Sequence, residues 1–565
     1  MDDGSGGVFS GNLFLLFDSY FYFHRGGNPM ALFEIQNFSF AYPKTQEPAL
    51  KEISFSLEEG ELFLLSGASG SGKTTLLHQL KPAIAPYGKR QGAVLYEGRP
   101  VEELEKRRAA LEIGFVFQSP DAQIVTDRVS SELAFGLENA GVPPEEIRRR
   151  VAEMAGFFGI EGWYHKAIEA LSGGQRQMLN LASVMVMNPR VLILDEPTSQ
   201  LDPVSAGNFI GMLEKLNREL GQTILLTEHR QEELFPLADR IGMMELGRLK
   251  QALPPKEMAA ALLKEQAPLS KALPTPAKIA WALGRRADLP LTMKEGRGFL
   301  AALPPSRHKL EKANPPEPGE KILEAKNLFF RYDKDAPDVL RDFSLTLEKG
   351  RCLAVLGGNG AGKTTALQVL AGILPPYRGR VKRKTDKIAY LSQNPGFVFL
   401  TEALREDFTL ACRSEERWRG ELERSPFFQK LTPLLERNPL DLSGGELQKA
   451  ALFKVILTEP DVILLDEPTK GLDPFAKEEL GAAFQEWTAQ GKCLVLVTHD
   501  IEFSARYAHR CAFLFDGGIV SQEAPDLFFT TNQFYTTAAC KMSRGILDGA
   551  VTGEEVIRCA SGADR

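Results

Sequence analysis

The sequence predicts an α/β protein in two similar halves, each built on a parallel β-sheet flanked by helices. Three observations predict this fold class. Two segments, one starting near Leu32 and the other near Ile322, match each other motif by motif. In both, a short apolar run of buried-strand type leads into a Gly-rich loop and a helix-favouring stretch. In both, a second apolar run ends in an Asp-Glu pair, which is typical of a strand covered on both faces.

Length and composition limit the class of protein. A chain of 565 residues is too long for one hydrophobic core. With 43% hydrophobic residues, 25% charged residues and a net charge of -7, the composition is that of a globular protein and predicts no nucleic-acid partner. The six cysteines form no C-x-x-C pair, so reduced thiols are expected. No apolar stretch approaches the roughly 20 residues of a transmembrane helix, so we expect membrane contact only through partners.

The repeat divides the chain into domains. Gly67 pairs with Gly357, 290 positions apart, and His229 with His499, 270 apart, so the second copy is shorter. The segment from 101 to 112 has no obvious counterpart in that copy. The predicted parts are an N-terminal extension (1–30), a first repeat domain (31–252), a Pro-rich linker (253–320), a second repeat domain (321–527) and a C-terminal tail (528–565).

Two segments outside the repeat are unusual. Eleven of the 35 prolines lie between residues 254 and 318, which predicts short helices in extended connections. Within that stretch, 277–283 and 293–303 have helical composition. Residues 8–23 are apolar and aromatic but lack the flanks of a signal peptide. Our hypothesis is that translation starts at Met30, and the alternative is a short membrane-surface anchor.

Both halves contain a G-x-x-x-x-G-K-[ST] loop between an apolar strand and a helix. Glycines let successive backbone N–H groups turn around a phosphate, and the helix N-terminus adds positive potential. The Lys would reach the β- and γ-phosphates of ATP, and the following Thr would supply a hydroxyl to Mg²⁺. The predicted loop residues are Gly67, Ala68, Ser69, Gly70, Ser71, Gly72, Lys73, Thr74 and Thr75, and then Gly357, Gly358, Asn359, Gly360, Ala361, Gly362, Lys363, Thr364 and Thr365.

Each half also places two carboxylates at the end of an apolar strand. Because ligands of open α/β sheets bind beyond the carboxyl ends of the strands, these acids are expected beside the nucleotide. Asp195 and Asp466 would hold Mg²⁺ directly or through water. Glu196 and Glu467 would orient and activate the attacking water.

The motifs between the loops and these acids carry a family resemblance. Residues 171–175 read L-S-G-G-Q and residues 442–446 read L-S-G-G-E, which resemble the signature motif of ATP-binding-cassette (ABC) ATPases. The resemblance covers most of both halves and implies two P-loop domains, each with a RecA-like core, an antiparallel β subdomain and a helical subdomain. It also implies that the domains pair head to tail, so that each signature contacts the γ-phosphate held by the other domain. The residues implied in this contact are Ser172, Gly174, Ser443 and Gly445.

Other positions match further functional residues of the family. The implied roles are Mg²⁺ sensing for Gln118 and Gln393, a catalytic switch for His229 and His499, and stacking on adenine for Tyr42 and Tyr332. Two departures are visible, because the second signature ends in Glu446 and the first histidine motif reads T-E-H-R where the second reads T-H-D. Neither departure removes a catalytic group. We therefore predict two hydrolytic sites, whose rates can differ.

Within this family, residues 118–125 and 132–138 are similar to the ATPases of energy-coupling factor importers, as are 290–296 and 534–539. The resemblance implies a motor at the cytoplasmic face of the cell membrane that drives uptake of a vitamin or metal ion. Its implied partners are a transmembrane coupling subunit and a substrate-binding membrane protein. The segments after Gln118 and Gln393 would receive the coupling helices. The predicted polar contacts there are Asp121, Gln123 and Glu132.

The alternative is a soluble twin-cassette ATPase that acts on ribosomes or nucleic acid. Translation factors of that kind share a long charged helical arm between the cassettes, whereas prolines interrupt the linker of this chain (253–320). The cysteine cluster of the ribosome-recycling type and the zinc modules of the repair type have no counterpart in this sequence. The cargo stays open among thiamine precursors, cobalamin precursors, cobalt and other vitamins.

Overall fold

The computed structural model describes residues 31–304 and 319–561, except residues 44, 46, 69, 229, 230 and 548. The start hypothesis at Met30 lies outside these described residues. Within them the chain forms two α/β halves that repeat one architecture, as predicted. Across this described part, no helix combines the length and the apolarity that a membrane crossing requires.

The first half combines an antiparallel sheet, a mostly parallel sheet and a group of helices. Its strands are β1 (Ala31–Ala41), β2 (Leu50–Glu58), β3 (Leu62–Gly67), β4 (Lys89–Tyr96), β5 (Arg99–Pro100), β6 (Ile113–Val116), β7 (Val191–Asp195), β8 (Thr223–Thr227), β9 (Arg240–Glu245) and β10 (Arg248–Leu253). Its helices are α1 (Lys73–Gln79), α2 (Lys106–Glu112), α3 (Val129–Asn139), α4 (Pro144–Phe158), α5 (Gly173–Met185), α6 (Pro203–Leu220) and α7 (Gln231–Leu234).

The six-stranded sheet of the first half explains where its functional loops lie. The strand order is β10-β9-β3-β8-β7-β6, with β10 antiparallel to the rest. Strands β3, β7 and β8 are buried at every residue, because helices and the four-stranded sheet β2-β1-β4-β5 cover their two faces. Since β3 and β7 both pair with β8, the loop after β3 and the acids at the end of β7 emerge at the same edge.

The second half repeats this plan with fewer elements. Its strands are β11 (Lys321–Phe330), β12 (Leu340–Glu348), β13 (Cys352–Leu356), β14 (Arg378–Arg383), β15 (Ile388–Leu391), β16 (Val462–Asp466), β17 (Cys493–Val497), β18 (Arg510–Phe515) and β19 (Gly518–Glu523). Its helices are α11 (Lys363–Ala371), α12 (Leu404–Cys412), α13 (Glu415–Arg424), α14 (Pro426–Gln429), α15 (Gly444–Leu457), α16 (Pro474–Ala489) and α17 (Ile501–Tyr507). The sheet order is β15-β16-β17-β13-β18-β19, and β14 leads to β15 without a counterpart of α2.

The residues predicted as linker and tail also contain helices. The linker contains α8 (Pro255–Lys264), α9 (Thr275–Ala282) and α10 (Met293–Ala301), and the tail contains α19 (Ala538–Ser543) and α20 (Gly553–Ser561). Helix α18 (Pro525–Thr531) crosses the predicted boundary between the second domain and the tail. Helices α9 and α10 pack against α19 and α20 around one small core that includes Ile279, Leu300, Met542 and Val556. We call these four helices the linker–tail module.

Candidate active site

The first phosphate loop connects β3 to α1, and its glycines fit the path of the backbone. Gly70 and Gly72 have φ angles of 77° and 99°, a region that side chains disfavour. A Cβ on Gly67 would lie 2.5 Å from the carbonyl oxygen of Met244, so β9 leaves no room for a side chain. Lys73 Nζ donates to the Gly67 carbonyl oxygen at 2.8 Å and therefore lies inside the loop.

The second phosphate loop repeats this geometry between β13 and α11. Gly360 and Gly362 have φ angles of 76° and 98°. Lys363 Nζ donates to the carbonyl oxygens of Gly357 and Gly358, at 3.0 and 2.9 Å. Both loops thus surround an ammonium group with backbone.

Burial lowers the pKa of both loop lysines, because it disfavours the charged form. The negative charges of the predicted catalytic acids oppose this effect, Glu196 for Lys73 and Glu467 for Lys363. A desolvated ammonium gains more from an anionic ligand than an exposed one does. The two loops are therefore suited to a triphosphate.

Oxygen ligands for a magnesium ion converge beside each loop. Thr74 Oγ1 donates to Asp195 Oδ1 at 3.1 Å, and Thr364 Oγ1 donates to Asp466 Oδ2 at 2.7 Å. Burial raises the pKa of both aspartates, so a cation would stabilise their charged form. Hydroxyl and carboxylate oxygens are the ligands that Mg²⁺ prefers, so these residues fit the ion.

The proposed catalytic acids lie next to the predicted glutamines and the second switch histidine. Gln118 Nε2 donates to Glu196 Oε2 at 3.1 Å. In the second half, His499 Nε2 lies 3.4 Å from Glu467 Oε1, and Gln393 lines the cavity that contains Glu467. Burial raises the pKa of Glu467 to about 7, which brings it close to the range that suits a general base.

The second phosphate loop faces the signature motif of the first half. A cavity of about 1600 Å³ is lined by Ser172 on one side and by Lys363 and Glu467 on the other. Across the same boundary, Asn359 Nδ2 donates to Asp202 Oδ2 at 2.5 Å. We call this composite pocket site B.

We call the reciprocal pocket site A, in which the family resemblance implies that the first phosphate loop pairs with the second signature. The negative charge of Asp473 lies close enough to favour the ammonium form of Lys73. Asp473 caps α16 and is the counterpart of Asp202, which caps α6. Ser443 caps α15 as Ser172 caps α5, each in a reciprocal pair with the residue three positions on. The halves thus lie head to tail.

The two predicted adenine-stacking tyrosines lie beside the loops with part of each ring exposed. Tyr42 OH is 3.1 Å from Thr75 Oγ1, and its ring meets Phe40 edge-on. Tyr332 OH is 3.0 Å from Thr365 Oγ1 and is 59% exposed. This exposed area is available to a purine.

Two predicted residues, Ser69 and His229, lie outside the described residues. Sequence reasoning missed the role of Asp202 across the boundary, although its repetition as Asp473 in a Leu-Asp-Pro context was a signal. It also missed Tyr535 of the tail. Burial raises the pKa of Tyr535, and the charge of Asp202 adds to this effect, so the tail reaches site B.

Fold and sites together define a P-loop ATPase with twin nucleotide-binding domains. A family model described as ABC transporter matches residues 50–199 and 340–470. A provisionally named ABC transporter ATP-binding protein of Bacillus cereus is 41% identical over 93% of this chain and 97% of that protein. A Bacillus subtilis protein, provisionally named an HMP/thiamine import ATP-binding protein, is 30% identical over 88% of this chain and 92% of its own.

One solved structure matches most of both halves. It contains an archaeal ribosome recycling factor with a ribosomal stalk protein, and it aligns with a TM-score of 0.57 at 20% identity. The alignment covers 88% of this chain and 92% of that chain, and it shows a shared fold only. The chain belongs to the ABC transporter ATP-binding proteins, with two cassettes fused in one polypeptide. As a member of this family it binds and hydrolyses ATP.

Proposed function

We propose that this chain is the motor subunit of an importer of the energy-coupling factor type. Two composite sites would couple ATP binding and hydrolysis to uptake of a vitamin or metal ion through separate membrane subunits. The observation that carries the proposal is site B, where Ser172 of one half and Lys363 of the other line one cavity. The importer named among the relatives supports the direction of transport.

The chemistry proposed for site B is a water attack on the γ-phosphorus of ATP. Lys363 and the loop amides bind the β- and γ-phosphates, and Mg²⁺ held by Thr364 and Asp466 would neutralise phosphate charge. Glu467 orients the water and accepts its proton while the bond from the γ-phosphorus to the bridging oxygen breaks. Ser172 and the amides of α5 donate to the γ-phosphate oxygens. ADP and phosphate are the products.

Each half presents a braced segment at the place where a membrane partner would dock. Glu132 Oε2 accepts from the Thr126 amide at 2.9 Å, and Asp407 Oδ1 accepts from the Leu400 amide at 3.0 Å. The bracing leaves Val125 and Leu400 65% and 81% exposed. Apolar side chains on a rigid, exposed segment suit an amphipathic coupling helix.

One part of the predicted docking surface is wrong. Gln123 bonds to the backbone of its own half, accepting from the Phe117 amide at 3.0 Å and donating to the Phe115 carbonyl oxygen at 3.0 Å. Glu132 is buried by its bracing role. Of the three predicted polar contacts, Asp121 keeps an exposed carboxylate, although it forms an ion pair with Arg176. Gln123 and Glu132 instead form hydrogen bonds to backbone groups of their own half.

The partner proposal is tested by purifying the native chain in mild detergent and identifying what accompanies it. We expect a transmembrane coupling subunit and a small substrate-binding membrane protein. Recovery with ribosomes and without membrane proteins would instead favour the twin-cassette alternative. Import direction is then tested by cargo uptake into vesicles that contain the recovered complex.

The catalytic proposal is tested with Glu196→Gln and Glu467→Gln. An amide cannot take the proton of the attacking water, so each substitution should remove turnover at its own site while ATP still binds. Steady-state phosphate release should fall in both single variants and by about 100-fold or more in the double variant. Full turnover in Glu467→Gln together with none in Glu196→Gln would contradict two hydrolytic sites.

A further inference from the structure

The two composite sites differ in charge at equivalent positions. Site A carries two carboxylates where site B has neutral side chains, and site B carries an ammonium where site A has a hydroxyl. The equivalent pairs, with the site A residue first, are Glu446 and Gln175, Glu228 and Thr498, and Ser199 and Lys470. A fourth pair, Arg230 and Asp500, differs in the opposite sense.

Glu446 gives the signature motif of site A hydrogen bonds that differ from those of site B. Ser443 Oγ donates to Glu446 Oε2 at 2.7 Å, and the Ser443 amide donates to the same oxygen at 2.9 Å. In site B the side-chain oxygen of Gln175 accepts from the Ser172 backbone amide at 2.9 Å. In both signatures the serine hydroxyl also accepts from the backbone amide three residues on. The Ser443 hydroxyl is thus directed to a carboxylate of its own helix, and that carboxylate adds negative charge where the γ-phosphate would bind.

Glu446 has a positively charged neighbour on the same helix. Lys449 lies one turn along α15 and interacts electrostatically with both Glu446 and Asp473. Its ammonium lies 5.4 Å from the ring centre of Phe427, in the helical subdomain. The group in hydrogen-bond contact with Ser443 is therefore the carboxylate.

Glu228 adds a second carboxylate to site A, from the first half itself. Its side chain is 2% exposed, and Oε1 accepts from the Thr198 amide at 2.6 Å, two residues after the catalytic Glu196. At the equivalent place in site B, the Thr498 hydroxyl lies 3.2 Å from the Thr469 hydroxyl. That pair carries no charge.

Lys470 acts in the opposite sense in site B. It follows the proposed catalytic acid by three residues. Burial lowers the pKa of Lys470, and the negative charges of Glu467 and Asp466 oppose this effect. Its amide donates to the Glu467 carbonyl oxygen at 3.1 Å, so it belongs to the same turn. Site B thus brings one more cation to a ligand that is strongly anionic.

We propose that the two sites bind MgATP unequally, with site B tight and site A weak, and that Glu446 is the main positioning residue that weakens site A. The proposal rests on the two composite sites of the proposed function. One charge of this kind, partly shielded from water, changes a binding constant by roughly tenfold. Because site A fills last as the ATP concentration rises, its occupancy controls the closure of the two halves.

The test is equilibrium titration of the full chain with mant-AMPPNP and Mg²⁺, a fluorescent analogue that is not hydrolysed. We expect two classes of binding that differ roughly tenfold or more in Kd at low salt. Lys363→Ala should remove the tight class and Lys73→Ala the weak class. Glu446→Gln should tighten the weak class several-fold, and the reciprocal Gln175→Glu should weaken the tight class.

Two measurements distinguish a charge effect of Glu446 from a purely structural role. The difference between the classes should shrink as salt is raised, because ions screen partly exposed charges. In ATPase assays Glu446→Gln should lower the KM for ATP more than it changes kcat. Glu416→Gln, which removes an exposed carboxylate from α13 of the same half, should leave both classes unchanged.

Three results would overturn the proposal: equal Kd values at low salt, loss of the tight class in Lys73→Ala, or a Glu446→Gln variant that binds like wild type. Each of them leaves the motor proposal standing if ATP turnover and partner recovery are normal. Conversely, failure to recover a membrane partner would not alter these binding constants.

Discussion

Among single residues, the two proposed catalytic acids share an unusual backbone conformation. Glu196 has a φ of 44° and Glu467 a φ of 53°, in the left-handed region that non-Gly residues seldom occupy. Such a residue costs about 1–3 kcal/mol unless its surroundings fix it. Here each amide donates across the edge of the sheet, Glu196 to the Thr227 carbonyl oxygen at 3.1 Å and Glu467 to that of Val497 at 2.8 Å. The strain turns both carboxylates towards the phosphate loops.

Asn359 gives a prediction at this scale. It joins the halves through Asp202 and lies 3.1 Å from His499 Nε2. Asn359→Ala should lower ATP turnover several-fold, because the second loop loses its link to the opposite half. The free energy of unfolding should change by less than about 1 kcal/mol, since the Ser205 hydroxyl still donates to Asp202 Oδ2 and the Val204 and Ser205 amides still donate to Oδ1.

The measurements for Asn359→Ala are steady-state ATPase rate and melting temperature. Asn359→Ser is the matched control, because serine stands at the equivalent position 69 and can still donate a hydrogen bond. It should keep more activity than the alanine variant. Wild-type turnover in Asn359→Ala would contradict a role for this contact.

At the scale of elements, two carboxylates connect the cassettes to the linker–tail module. Glu232 of α7 accepts from the Thr275 amide at 3.0 Å, at the start of α9. Glu502 of α17 accepts from the Ala538 amide at 2.7 Å, at the start of α19. Each follows a predicted switch histidine by three residues. Carboxylates at helix N-termini are favourable, so these contacts hold the module to both cassettes.

Glu502 makes one of these attachments sensitive to pH. The Glu502 side chain lines the interdomain cavity, but protein surrounds most of it. Burial of the carboxyl raises its pKa to about 7, and the negative charges of Glu232 and Asp500 raise it further. A carboxyl whose pKa is raised in the folded state stabilises it least when ionised. Stability should therefore fall as pH rises from about 5 through 7.

The substitution Glu502→Gln tests this, because an amide oxygen still accepts from Ala538 and does not ionise. The variant should gain melting temperature relative to wild type between pH 6 and 8, by a modest amount because water in the cavity screens the charge. Glu486→Gln on the exposed face of α16 is the control. A difference that stays constant with pH would contradict the prediction.

Helix α10 offers a matched pair of glycines for testing the packing of the module. A Cβ on Gly296 would lie 2.9 Å from Pro276 Cβ and 3.0 Å from Met542 Sδ, whereas a Cβ on Gly298 meets nothing within 4 Å. Gly296→Ala should destabilise the module by about 1–3 kcal/mol through overpacking. Gly298→Ala should stabilise it by about 0.5–1 kcal/mol through helix propensity.

Denaturant unfolding of the full chain, together with limited proteolysis after residue 301, measures both glycine effects. Similar values for the two variants would mean that α10 and α19 do not approach as closely as described.

For the whole molecule, the sequence predicts the two α/β halves well and the module poorly. Core strands such as β7 are continuous apolar runs, a local signal that tertiary contacts reinforce. The prolines of the linker indicated broken structure, yet Pro255 and Pro276 lie at the first turn of α8 and α9, where proline is tolerated. The contacts of the module join distant segments, as when Arg297 donates to the Arg544 carbonyl oxygen at 2.9 Å, and no local pattern encodes them.

The two ATP sites were likewise predictable from the sequence only where a local pattern encodes their residues. Loops, acids and signatures are encoded locally and appear where predicted by pattern, whereas the contact between Asn359 and Asp202 depends on how the halves pack. Their pairing was expected from family resemblance and not from any residue. The roles assigned to the individual site residues stay predictions until the variants are measured.

The joining of both cassettes in one chain, with α9 and α10 packed on α19 and α20, also fixes stoichiometry. Separate subunits could also assemble as like pairs, in which each pocket would combine a loop and a signature of the same half and would be neither site A nor site B. Covalent linkage raises the effective concentration of each half for the other to roughly millimolar. Every molecule therefore contains one pocket of each kind, and a cell can change the amount of this ATPase without changing its composition.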